Sequence, residues 1–183
     1  MATLVITVLG EDRPGLVSSL ADVVAEHGAS WGRSQLAQLA GTFAGIVTVE
    51  VPDSGASDLT RALENLEKLD TTVRTAQVEP AADAGALPGA GEALHLDLVG
   101  HDQPGIVQQV SGVLAEQGVS VERLDTRVVP APQAGGDLFE ARAAFRAPDG
   151  VDLDRLTSAL EDLARELQVD VTLDPADQAA VWE

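Results

Sequence analysis

Residues 8–30 read VLGEDRPGLVSSLADVVAEHGAS, and residues 98–120 read LVGHDQPGIVQQVSGVLAEQGVS. Gly10, Asp12, Pro14, Gly15, Val17, Val23, Ala25, Glu26, Gly28 and Ser30 of the first stretch recur in the second as Gly100, Asp102, Pro104, Gly105, Val107, Val113, Ala115, Glu116, Gly118 and Ser120, at a constant spacing of 90 residues. A period this long belongs to a whole domain rather than to a solenoid unit. The 183-residue chain is therefore expected to fold as one small domain made twice.

Within each stretch the hydrophobic period changes. Thr3–Leu9 is a β-branched run ended by Gly10, and Leu94–Val99 alternates as LHLDLV; both predict a strand. Leu16, Val17, Leu20, Val23 and Val24 then share one helix face, as do Ile106, Val107, Val110, Val113 and Leu114. Pro14 and Pro104 are expected in the first helical turn, and Gly28 and Gly118 just past the helix end.

Working outward, two strands are predicted in each copy. They lie near Ser30–Leu39 and Thr42–Val51, turning at Gly41, and near Ser120–Val129 and Leu138–Ala147, joined by the longer loop PAPQAGGD. Leu59, Leu63 and Leu66 mark a second helix; Leu153, Leu156, Leu160, Leu163 and Leu167 mark its counterpart. Closing strands are expected near Thr71–Val78 and Val169–Leu173. The order is βαββαβ twice, an α+β fold with two helices on one face of each antiparallel sheet.

Between the copies, EPAADAGALPGAGEA (Glu79–Ala93) is rich in Ala, Gly and Pro and has no period, so it reads as a linker. The expected organisation is residues 1–80 for the first domain, 81–91 for the linker, 92–175 for the second domain and 176–183 for a short tail.

Composition removes whole classes of function. With no cysteine there is no disulfide, thiolate metal site or thiol nucleophile. The net charge of −19, with −6 over residues 1–80 and −12 over 92–183, opposes direct binding to nucleic acid or to an anionic membrane. The start, MATLVITVLG, lacks the basic segment of a signal peptide, and no apolar run approaches the roughly 20 residues that span a bilayer. The expectation is a soluble cytoplasmic protein. Aromatics make up only 3%, so aliphatic side chains must build the cores.

The one constellation present twice is the loop before the first helix, Gly10-Glu11-Asp12-Arg13-Pro14-Gly15 and Gly100-His101-Asp102-Gln103-Pro104-Gly105. A helix N-terminus there offers unpaired amides to a carboxylate. Gly15 and Gly105 let a ligand approach the backbone. Asp12 and Asp102 either cap their helices, as aspartate commonly does, or accept a bond from an ammonium group. Together these parts suit the zwitterionic end of an amino acid.

The duplicated D-x-P-G loop, followed by LV or IV and a helix ending in glycine, resembles the ACT domain. The pair of copies, covering nearly the whole chain, resembles the glycine cleavage system transcriptional repressor family and stand-alone ACT-repeat proteins that bind amino acids. The resemblance implies two ferredoxin-like βαββαβ domains. It also implies ligand sites where this loop of one domain faces the start of the second strand of a neighbour. Carried onto this chain, the implied ligand contacts are Asp12, Arg13, Gly15 and Leu16 in the first loop and His101, Asp102, Gly105 and Ile106 in the second, with Ser30 and Ser120 at the second strands. Glycine, serine and glutamine all fit as the ligand. A regulatory output would pass through a partner protein, since no DNA-reading element is present.

The remaining residues suggest structural roles. His27 closes a helix and His95 alternates within a strand; with His101 they make no metal cluster. No Ser–His–acid set or paired carboxylates can be assembled, so neither catalysis nor a cofactor is expected. An RNA-binding sheet of the same order would need exposed aromatics and basic charge. The competing reading is a ligand-independent interaction module that regulates a metabolic enzyme or transcription factor. Open sheet faces and edges point to a homodimer.

Overall fold

The computed structural model describes residues 1–76, 91–131 and 135–175. The expected linker (apart from Gly91), the expected tail and the end of the first closing strand at Val78 lie outside these residues. The chain divides into two compact units, Met1–Ala82 and Asp83–Glu183.

The first unit runs β1 (Ala2–Glu11), α1 (Leu16–Glu26), β2 (Ser30–Leu39), β3 (Thr42–Val51), α2 (Ala56–Glu64) and β4 (Asp70–Thr75). The second runs β5 (Glu92–His101), α3 (Ile106–Glu116), β6 (Ser120–Pro130), β7 (Asp137–Ala147), α4 (Leu153–Leu167) and β8 (Val169–Pro175). The sheet orders are β2-β3-β1-β4 and β6-β7-β5-β8, every pair antiparallel. Both units are ferredoxin-like βαββαβ domains.

The period-2 pattern of the central strands sets the layers. Leu4, Ile6 and Val8 of β1 are buried with Val47, Val49 and Val51 of β3, beneath Leu16, Leu20 and Val24 of α1 and Leu59 and Leu63 of α2. In the second domain Leu94, Leu96 and Leu98 of β5 meet Ala141, Ala143 and Phe145 of β7, beneath Ile106 and Leu114 of α3 and Leu156, Leu160 and Leu167 of α4. Leu66 lies beyond the end of α2, half-buried against the core. Among the described residues no polar or charged residue is buried, so each core is held by apolar packing alone.

The helix ends follow the glycines. Gly28 N–H donates to the Ala25 carbonyl (2.9 Å) and Ala29 N–H to Val24 (3.1 Å); Gly118 and Val119 repeat this onto Ala115 and Leu114 at 3.0 and 2.9 Å. The paired bonds satisfy carbonyls that would otherwise be orphaned. The helix starts differ from expectation. Both helices begin at Leu16 and Ile106, and the prolines lie two residues earlier, outside the first turn. A true side-chain cap occurs at α4, where Asp152 Oδ1 accepts from Arg155 N–H at 3.0 Å.

The repeated Gly10 and Gly100 have a packing cause. A Cβ on Gly100 would stand 2.3 Å from Val169 Cγ1 and 2.8 Å from its Cβ; one on Gly10 would stand 2.8 Å from the Lys68 carbonyl oxygen. The chain entering the last strand of each domain crosses where a side chain would project. Gly112, by contrast, lies inside α3 with nothing within 4 Å of its missing Cβ.

These two glycines predict opposite signs in one domain. Gly100→Ala should destabilise the second domain by about 1–3 kcal/mol through overpacking. Gly112→Ala should stabilise it by about 0.5–1 kcal/mol, since alanine is the better helix former. Urea denaturation of the full chain reads both, and equal shifts in the same direction would refute the account.

Candidate functional site

Four residues carry the chain from the first strand of each domain to the first helix, and the backbone fixes their course. Asp12 N–H donates to the Gly41 carbonyl at 2.9 Å, tying the loop to the β2–β3 turn; Asp102 N–H donates to the Asp137 carbonyl at 3.0 Å in the same way. At Gly15 and Gly105 the chain turns with φ of +92° and +95° and enters the helix. Only glycine enters this region at no steric cost. The Gly15 and Gly105 carbonyls accept the first helical bonds, from Ser19 and Gln109, at 2.9 and 3.0 Å.

No side chain caps either helix. The amides of residues 16–18 and 106–108 therefore keep their hydrogen-bonding capacity and the positive end of the helix dipole. A Cβ on Gly15 would meet nothing within 4 Å, and one on Gly105 would meet the Gln109 Nε2 at 3.4 Å.

The capping reading of the aspartates is thereby overturned. Asp12 and Asp102 lie three residues before the glycines, their side chains are exposed, and among the described residues neither carboxylate accepts a hydrogen bond. Leu16 and Ile106 are 3% exposed, their side chains in the cores, so only their backbone amides can meet a ligand. His101 is the last residue of β5, exposed and opposite Leu138.

Ser30 and Ser120 do not join the loop of their own domain. Ser30 pairs with Glu50, which pairs with Thr3, whereas the loop leaves β1 at Glu11, opposite Thr42. Eight residues of strand separate the two ends, about 27 Å. A site using both needs a second domain to supply one of them.

The two loops are anchored differently, which sequence reading missed. Arg13 Nη2 donates to Glu11 Oε2 at 2.9 Å, a local and exposed pair. Gln103 Nε2 reaches instead to the Leu167 carbonyl at the end of α4, at 2.7 Å. Nothing in the local sequence signals a bond to a residue 64 positions away.

A larger groove, about 480 Å³, lies elsewhere, over the outer face of β5, β6 and β7. Its arginines are already paired: Arg142 with Asp97 at 2.9 Å, Arg123 with Asp125 at 2.7 Å and Arg127 with Glu140 at 2.5 Å. This network was legible as Arg–Asp–Arg and Glu–Arg alternation at strand period. In the first domain the same face carries Val5, Thr7, Leu9, Ala44 and Ile46. Among the described residues no group of three or more His, Asp or Glu could hold a metal. No helix there is long and apolar enough to cross a membrane.

Comparison with known proteins bears on this arrangement. The ACT domain model matches residues 2–76. A crystal structure of an unknown protein from Galdieria sulphuraria is 29% identical, with a TM-score of 0.83, over 96% of this chain and 99% of that one. A structure described as a candidate glycine cleavage system transcriptional repressor is 18% identical, with a TM-score of 0.69, over 96% of this chain and 98% of that one, and so shares the fold. No curated protein matches the chain at a significant level. Residues 2–76 thus match the ACT domain model, and the second domain repeats the ferredoxin-like fold of the first.

Proposed function

We propose that the protein is a non-enzymatic regulator that binds a small free amino acid at its strand-to-helix loops and acts on amino-acid metabolism through a partner protein. The observation that carries this reading is the uncapped helix start with an uncommitted carboxylate beside it, found in both domains. The open amides of residues 16–18 and 106–108 suit a carboxylate. Asp12 and Asp102, three residues upstream, suit an ammonium group. Arg13 and His101 border the loops as further polar contacts, and Ser30 or Ser120 of a neighbouring domain would complete a site.

A regulatory rather than catalytic role agrees with the ACT domain match and with the repressor-like description of one fold neighbour. The net charge of −19 opposes contact with phosphate backbones, so the effect on a gene or an enzyme is proposed to be indirect. The assembly in this reading is a homodimer, the exposed Leu9 and Ile46 of the first sheet giving it an apolar contact face.

Thermal-shift screening and calorimetry with the free amino acids test the reading, since a ligand of the native state must raise the melting temperature. Asp12→Asn with Asp102→Asn should weaken binding roughly tenfold or more, the scale of a charge-assisted bond. Because neither aspartate caps a helix, the melting temperature without ligand should stay the same. If no amino acid binds, the ligand-independent interaction module replaces this reading.

The assembly has its own check. Light scattering should give the mass of two chains at micromolar concentration, and Leu9→Glu with Ile46→Glu should reduce it to one. A strict monomer in the unsubstituted protein would refute the dimer.

A further inference from the structure

On the outer face of the second sheet, charges alternate both along the strands and across them. β6 presents Arg123, Asp125 and Arg127, β7 presents Glu140 and Arg142, and β5 presents Asp97. The register sets Asp125 opposite Arg142, Arg142 opposite Asp97, and Arg127 opposite Glu140, so each of these charges has the other sign beside it. Three arginines and three acids make the groove neutral, in a chain of net charge −19. The rest of the surface therefore carries the whole of the negative charge. As exposed pairs these residues add little stability, so folding does not account for the pattern.

The pattern is complementary to itself, as the contact between two copies of one patch requires. When two copies of the face meet about a twofold axis that runs along the strands between β6 and β7, Asp125 lies over the partner's Arg142 and Arg127 over the partner's Glu140. An axis across the strands, between these two rows, sets Asp125 over the partner's Arg127 and Arg142 over the partner's Glu140. Stacked sheets lie about 10 Å apart, a gap that an arginine and a facing carboxylate span together. Bonds within the chain need not break. Arg142 Nε uses one oxygen of Asp97 and Arg127 Nε one oxygen of Glu140, whereas a guanidinium has five donors and a carboxylate several acceptor positions. Other coverings fit worse. A uniformly charged partner meets like charge at three of the six positions, and an apolar one buries the ions without giving them new partners.

We propose that this face docks on the same face of a second copy of the chain. The inference rests on the homodimer reading above and adds a second contact to it. The apolar face of the first sheet supplies affinity, and the alternating charges of the second fix like against like. Laying Leu9 and Ile46 on the arginine groove would desolvate its charges without pairing them, so that mismatched docking is selected against.

Sedimentation of two variants, alone and mixed, tests this. Arg127→Glu with Arg142→Glu makes the face acidic; Asp125→Lys with Glu140→Lys makes it basic. Each alone should dimerise less tightly by roughly tenfold or more, because like charges then face each other. An equal mixture should regain the affinity of the unsubstituted chain. The basic variant separates pattern from total charge: it brings the net charge nearer zero, which by itself favours association, yet weaker dimerisation is expected. Melting temperatures check that each variant folds. Arg127→Gln with Arg142→Gln, which neutralises without reversing, should weaken the dimer in the same direction by less, and it stands in for a variant that does not fold. A dimer indifferent to these substitutions in folded protein, a basic variant that dimerises more tightly, or a mixture no tighter than its components overturns the proposal and leaves the first-sheet dimer intact. A strict monomer in the unsubstituted protein overturns both.

Discussion

At Gly15 and Gly105 the backbone takes φ of +92° and +95°, and each first helix starts directly from that turn. A residue with a side chain would be strained there, so the sharp passage from central strand to covering helix depends on glycine. The rest of each domain follows from that passage. It drops Leu16 or Ile106 straight into the core, which fixes the helix face over β1 or β5. It also leaves no room in sequence for a capping side chain at the residue before the helix. The same constraint that folds the domain thus exposes the amides that make the loop a candidate site.

The layer architecture was legible because its signals are local and repeated. Leu4, Ile6 and Val8 alternate, Leu16, Leu20 and Val24 recur at helical spacing, and the second copy says the same again with different residues. Gly28 and Gly118 were readable as helix ends for the same reason. The helix starts were misjudged because Pro14 and Asp12 both favour N-terminal positions, while the left-handed Gly15 that displaces them is a property of φ that no side chain announces. The distance between Ser30 and the loop follows from antiparallel register, which brings together residues far apart in sequence and separates the two ends of one strand.

The two copies have kept their cores and diverged on their surfaces. Four of the six cations between residues 92 and 183 stand on the outer face of the second sheet, as Arg123, Arg127, Arg142 and Arg146, each beside an acid. The exposed pairs among them, those of Arg123, Arg127 and Arg142, add little stability. Their effect is on character: they make one outer face hydrophilic and locally neutral in an acidic chain, while the other keeps Leu9 and Ile46 in contact with water. Duplication has supplied two equivalent scaffolds, and the surfaces have become unlike without altering what holds either scaffold together.

The bond from Gln103 to the Leu167 carbonyl has a consequence for the order in which the second domain assembles. Its two ends are 64 residues apart, and between them lie α3, β6, β7 and α4. The entropy of closing so long a loop is recovered only once those elements are in place. The bond is therefore a latch that can close only after those elements have come together. The loop of the second domain is consequently held by the last turn of α4, a long-range restraint that differs from the local Arg13–Glu11 pair of the first domain.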